Sequence, residues 1–231
     1  MSSLPSMKTI SNRVLRETGI PEVASFASGN RQSTIAYDAV LDGYADIWMR
    51  NRWEWQRYEA SIALSAGVSD YNLPANFQRL ALPPWFPPNR QATMLKELSP
   101  DEFYVNLGMV DPTQQGQPLF CTIDHNTITL YPTPSSNFVT TCPTMTMQYF
   151  LDLPARLSTA NENLVPTYMP AEFYDALVNY AKSRLKQHLE YPDFEQDMQL
   201  YEKKLQILIN RNRRSRTAPR FRNAFDGIME W

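Results

Sequence analysis

The sequence predicts an α+β protein: a helical bundle from N- and C-terminal helices, an inserted small β-sheet or β-barrel-like domain, and an extended C-terminal tail. Three observations carry that expectation. Apolar residues repeat with helical period at both ends of the chain, from Tyr37 to Trp48 and again from Tyr174 to Leu208. Between those stretches lie short runs rich in Thr, Ile, Leu and Tyr, separated by Pro, Gly and Asn/Asp turn signals. Beyond Asn210 the apolar period gives way to clustered arginines. A chain of 231 residues buries roughly 70% of its unfolded surface, so its core needs no metal or disulfide staple.

Taken in order, Ser6 caps a helix over about 7–18, with Met7, Ile10 and Val14 on one face and Gly19 before Ile20-Pro21 as its stop. Ser33 opens the clearest helix of the first half, with Tyr37, Val40, Leu41, Tyr44, Ile47 and Trp48 in one stripe. Strands are expected at Ser61–Leu64, Tyr71–Pro74, Phe77–Leu82 and Ala92–Leu98, around a stiff loop Pro83-Pro84-Trp85-Phe86-Pro87-Pro88. Ser99-Pro100-Asp101-Glu102 is a capping box, so a short helix runs to Gly108. Leu119–Ile123 and Thr127–Tyr131 form a hairpin about Asp124-His125-Asn126, and Thr144–Phe150 alternates as a last strand. A helix from Pro170 breaks at Tyr191-Pro192 into a second, where Phe194, Met198, Tyr201, Leu205 and Leu208 step by fours and threes. The domains expected are a bundle of 1–58 with 166–210, a β-rich insertion of 59–165, and a basic, aromatic docking tail of 211–231.

Composition narrows the function. Only 7 Gly stand against 18 Pro, so long connections are stiff, and abundant Trp, Tyr and Phe suit large packed interfaces. From Arg211 to Trp231 six arginines face Asp226 and Glu230, a net +4, which leaves −6 on the other 210 residues of a chain whose total is −2. No apolar run approaches the roughly 20 residues of a membrane span, and no apolar signal core opens the chain. Cys121 and Cys142 lack a short-spaced partner, as in a reducing compartment. No Gly-x-Ser-x-Gly, Walker loop, His-Glu-x-x-His or dinucleotide fingerprint is present. The carboxylates Asp101, Glu102, Asp193 and Glu195 sit where helix starts favour negative charge. Cys121, His125, Cys142 and His188 are too dispersed for a four-ligand zinc site. The expectation is a non-enzymatic protein with no catalytic residues, no metal and no cofactor.

Particular phrases carry a resemblance. They are Ile10-Ser11-Asn12-Arg13-Val14 to Thr18-Gly19, a helix ending in Trp48, Trp53-Glu54-Trp55, and Leu64-Ser65-Ala66-Gly67 leading into Tyr71-Asn72-Leu73-Pro74. Asn126-Thr127-Ile128-Thr129-Leu130-Tyr131-Pro132-Thr133-Pro134 and the break at Tyr191-Pro192-Asp193 complete the set. Their shared order over about residues 7–210 resembles the head-to-tail adaptor family of tailed bacteriophages, which includes connector, head-completion and tail-tubular adaptor proteins. The resemblance implies a ring of twelve copies in the virion neck, assembled in the host cytoplasm. It implies as partners the portal protein above, a nozzle or tail-terminator protein below, and genomic DNA passing through the channel without sequence recognition. The long Pro-rich loop and the extended tail depart from the family pattern.

Two sets of residues are the candidates for function. Arg211, Arg213, Arg214, Arg216, Arg220 and Arg222, with the apolar Phe221, Phe225, Ile228 and Trp231, form the expected portal-docking arm, since a short amphipathic helix needs a partner's groove. A solvated basic terminus and phosphate contact with DNA are the competing readings of those arginines. Trp48, Trp53, Trp55, Trp85 and Phe86 are the candidates for the contact between copies; a stacking surface for sugars or bases is the alternative, and core packing the plainest one.

Overall fold

The computed structural model describes residues 5–87, 94–107, 113–155, 162–165 and 168–217, with side chains as far as Arg213. Two compact units emerge, one of Met1–Trp55 with Leu153–Trp231, the other of Gln56–Asp152. The mixed α+β class expected from the sequence is what the chain forms. The division differs in detail from 59–165, because the segment after Asp152 returns to the helical unit. There the amides of Met7 and Lys8 donate to the carbonyls of Leu164 and Glu162.

In the helical unit, α1 (Met7–Glu17) starts at Ser6, whose hydroxyl accepts from the Thr9 amide at 3.2 Å. Helix α2 spans Arg31–Arg50. Its cap is Asn30, with Oδ1 accepting from the Ser33 amide at 2.9 Å, so the helix begins before the Ser33 start read from the sequence. An asparagine satisfies the orphan amides of a first turn as well as a serine does.

In the β unit, β1 (Arg57–Ala63), β2 (Asp70–Asn72), β3 (Phe77–Trp85) and β4 (Lys96–Glu97) precede α3 (Pro100–Leu107). The capping box at Ser99 forms: its hydroxyl accepts from the Glu102 amide at 3.3 Å, and Glu102 Oε2 accepts from the Ser99 amide at 3.1 Å. Then come β5 (Gln115–Gly116), β6 (Phe120–Asp124), β7 (Thr127–Tyr131), β8 (Thr133–Pro134), α4 (Ser136–Thr141) and β9 (Thr144–Leu151). The sheets run β1-β9-β3, β2-β7-β6-β4 and β5-β8.

Three sequence expectations need correction here. Pro83 and Pro84 belong to β3 and not to a loop; β3 is an edge strand with bulges at Leu80/Leu82 and Leu82/Trp85, where the absent proline amides cost no ladder bond. Strand β9 is the middle strand of its sheet and is buried on both faces, with Met145, Met147, Tyr149, Phe150 and Leu151 all in the core. Helix α4 was not foreseen, although Ser135 caps it by accepting from the Phe138 amide at 3.3 Å. Of the expected strand over Ala92–Leu98, β4 and a bridge from Met94 to Trp85 form among the described residues.

The recurring Tyr71 phrase has a physical basis. The phenol accepts from the Ser65 amide at 3.1 Å and donates to the carbonyl of Val68 at 3.0 Å, closing the turn in which Gly67 holds φ +75°. Leu73 then donates from its amide to Asn126 in the β6–β7 turn, where His125 takes the left-handed conformation (φ 53°).

The helical unit closes with α5 (Tyr174–His188) and α6 (Phe194–Thr217). Glu190 at φ 59° reverses the chain between them, and the pairs Ser183–Phe194 and Tyr180–Tyr201 set an antiparallel register. Helix α5 is the centre of this unit and packs against α1, α2 and α6.

Candidate docking and subunit-contact surfaces

The end of α6 is the surface on which the described part of the arm begins. The apolar stripe does not stop the helix at Asn210; α6 continues to Thr217 and takes in Arg211, Arg213, Arg214 and Arg216. Helix-favouring arginines and a tertiary clamp extend it beyond the apolar period. The clamp is Asn212, whose Oδ1 accepts from the Glu54 amide at 3.0 Å and whose Nδ2 donates to the Arg52 carbonyl at 2.8 Å. This side chain ties the last turns of α6 to the segment that follows α2. Nothing in the sequence around Asn212 marks it, because its partners are backbone groups about 160 residues away.

Arg211 lies beside Glu172, with Nη1 3.7 Å from Oε2, both side chains more than half exposed. Such a pair contributes little to stability. Arg213 is exposed. Arg220, Phe221, Arg222, Phe225, Ile228 and Trp231 lie outside the described residues.

The aromatic candidates divide between the units. Trp48, Trp53, Trp85 and Phe86 are 3%, 0%, 8% and 0% exposed, so their surface is spent inside their own chain and little of it is left for a neighbouring copy. Trp53 Nε1 donates to the Ile47 carbonyl at 2.7 Å, satisfying one of the last carbonyls of α2. Its ring meets Phe173 edge-on at 4.8 Å, and Phe86 meets Phe138 in the same way at 4.9 Å. The half-buried Trp55 is different. It lies beside Trp48 and Phe173 in a cleft of about 330 Å³ that also includes Pro170, Leu208 and Arg211. Its indole N–H is buried and meets no acceptor among the described residues.

Charge is organised inside the helical unit. Asp197 is 5% exposed and holds Lys182 Nζ at 3.2 Å and Lys186 Nζ at 2.8 Å. Lys182 also reaches Glu17 at 3.2 Å, tying α1 to α5 and α6. Burial alone would lower the Lys186 pKa, but its bonds to Asp193 and Asp197 outweigh that and raise it. Burial alone would raise that of Glu17, yet Arg13 and Lys182 hold it below the usual carboxylate value. Tyr201 donates its hydroxyl to Asp46, and burial first, then that carboxylate, push the phenol well above its usual range.

The Cys121 thiol is pushed up to about 12 by burial and then by Glu97, which leaves it protonated and unreactive. Among the described residues no three His, Cys, Asp or Glu are grouped to hold a metal. Among them, too, no helix is long and apolar enough to cross a membrane.

The model of the SU10 adaptor protein family matches residues 6–223, and the chain belongs to that family of phage head-to-tail adaptors. The match takes in both units and reaches past the end of α6 into the arm. No curated protein matches the chain.

Proposed function

We propose that this protein is a ring-forming structural adaptor in the neck of a tailed bacteriophage, joining the portal to the tail and lining part of the DNA channel. The observation that carries the reading is the family match along residues 6–223, which covers nearly the whole chain in one run. In this reading the helical unit forms the ring wall and the β unit faces the tail-side partner. The C-terminal arm leaves the clamped end of α6 and docks on the portal, with Phe221, Phe225, Ile228 and Trp231 as the apolar anchors and the arginines as the polar rim. Twelve copies match a twelvefold portal, and DNA slides through without sequence readout.

The test is sedimentation velocity of the full chain mixed with portal rings of its phage, against a truncation after Thr217 that keeps α6 and its Asn212 clamp. The expected result is a portal particle heavier by about twelve copies with the full chain and a large loss of occupancy with the truncation. Equal occupancy by both would take the grip out of the arm. Binding by neither, with salt-sensitive binding of duplex DNA by the full chain, would replace the portal role by phosphate contact.

A further inference from the structure

Helix α6 presents two opposed flanks with opposite chemistry. At about 100° per residue, Glu195, Met198 and Glu202 fall on one side of its buried stripe of Tyr201, Leu205 and Leu208, while Leu200, Lys204, Ile207 and Arg211 fall on the other. The first flank borders a groove of about 500 Å³ with Ser183, Arg184 and Gln187 of α5. Arg184 and Gln187 also border an adjoining groove of about 570 Å³ against Asp38 and Asp42 of α2. This side of the helical unit therefore gathers Glu195, Glu202, Asp38 and Asp42 about Arg184, with Arg50 reaching Glu202 at 3.1 Å from α2, above a partly apolar floor of Phe194 and Met198.

The second flank is its complement. Leu200 and Ile207 are 47% and 46% exposed, large apolar side chains in the open on a helix whose own core is already filled. Lys204 and Arg211 flank them with the same seven-residue spacing. Seven residues are about 10.5 Å of helix, and Glu195 and Glu202 on the opposite flank are separated by the same distance. A basic pair and an acidic pair of equal spacing, each beside apolar residues, sit on opposite flanks of one helix.

We infer that these two flanks meet between copies: the Leu200/Ile207 flank of one copy seats over the Phe194/Met198 groove of the next, with Lys204 and Arg211 against Glu195, Glu202 and the α2 carboxylates. Two different faces of one body in mutual contact make a head-to-tail interface, the kind that propagates into a ring or a filament. Opposite charge sets the register and the apolar pair supplies the buried area. The inference rests on the ring-forming reading above and specifies its contact.

The experiment uses the full chain, alone and with portal rings, followed by sedimentation velocity. Two charge reversals, Glu195→Lys/Glu202→Lys and Lys204→Glu/Arg211→Glu, should each weaken self-association or portal filling by at least about tenfold, since like charges then face each other. An equimolar mixture of the two should recover much of the assembly, because alternating copies again set opposite charges at positions 195 and 202 against positions 204 and 211; a merely misfolded variant would not be rescued. Independently, Met198→Cys/Ile207→Cys should give a ladder of oxidised oligomers. Variants that assemble as well as the unaltered chain would overturn this contact and leave the adaptor reading standing. So would portal rings that fill copy by copy with no cooperativity. An unaltered chain that binds neither itself nor portals would overturn both.

Discussion

In the helical unit a buried aspartate sits between two lysines, and tyrosine hydroxyls and asparagine amides reach backbone or carboxylate partners. In the β unit the middle strand is threaded with Met145, Met147, Tyr149 and Leu151, each 1% exposed or less. Thr122, also fully buried there, has a hydroxyl without a partner among the described residues. The difference separates two ways of holding a fold. Directional charge fixes the mutual positions of α1, α5 and α6, where a slide of one helix would strand a charge. Apolar fit holds the β unit, where methionine adapts to irregular gaps.

The comparison can be broken at its strongest point. Asp197→Ala removes the carboxylate that Lys182 and Lys186 share and leaves each its outer partner, Glu17 or Asp193, so it should destabilise the protein by on the order of 1.5–3 kcal/mol, measured by urea unfolding. A loss below about 1 kcal/mol, the range of exposed pairs, would show that the network is solvated and the contrast false. Its pH signature follows from the shifted partners. Lys186, raised, contributes below its ordinary value of 10.5 and loses that contribution as pH climbs through its folded value. Glu17, lowered, contributes above its ordinary 4.5 and loses that contribution as pH falls through its folded value. Between those limits these groups should leave stability flat.

The matching test of the β unit is Met147→Ala, which removes a fully buried side chain from the middle strand and should cost about 2–4 kcal/mol. Met147→Leu, of similar volume, should cost under about 1.5 kcal/mol in the same assay. If leucine is as damaging as alanine, fit there is tighter than the comparison allows. Gly43→Ala sharpens the helical side. A Cβ at that position would stand 2.7 Å from Tyr180 Cδ1 and 2.8 Å from Leu177 Cδ1. Overpacking of about 1–3 kcal/mol then outweighs the gain of about 1 kcal/mol that alanine brings to a helix. A stabilised variant would mean that α5 yields and the bundle is softer than described. The smallest effect is expected from Asn212→Ala, about 1 kcal/mol for two lost hydrogen bonds to backbone. It should be read locally, as faster amide exchange at Glu54, whose N–H that side chain holds.

Much of this was legible beforehand in local pattern. Ser6 and the Ser99–Glu102 box cap helices where the sequence placed caps, because caps involve residues three apart. The β6–β7 hairpin lies about the expected turn, and the break before α6 falls at Glu190–Asp193. What escaped was non-local. Pro83-Pro84 resembles a loop until β3 is seen to be an edge strand, and β9 passes for a one-sided strand until it has neighbours on both sides. The tryptophans pointed outward as interface candidates, yet Trp48, Trp53 and Trp85 are core residues of their own chain. Composition counts aromatic surface without showing how much of it the fold consumes.

By itself, then, the sequence determined the alternation of helical and β-forming stretches, the capped starts, the basic arm and the family, since each is written in short-range spacing or in ordered motifs. Tertiary structure alone decided where the charges went. Asp197 became the hub of two lysines, Asn212 became the clamp on α6, and the flank of Glu195, Met198 and Glu202 came to border a groove against α5. Burial, and the distance between groups far apart in the chain, set the strength of every one of those interactions, and neither quantity exists until the chain has folded.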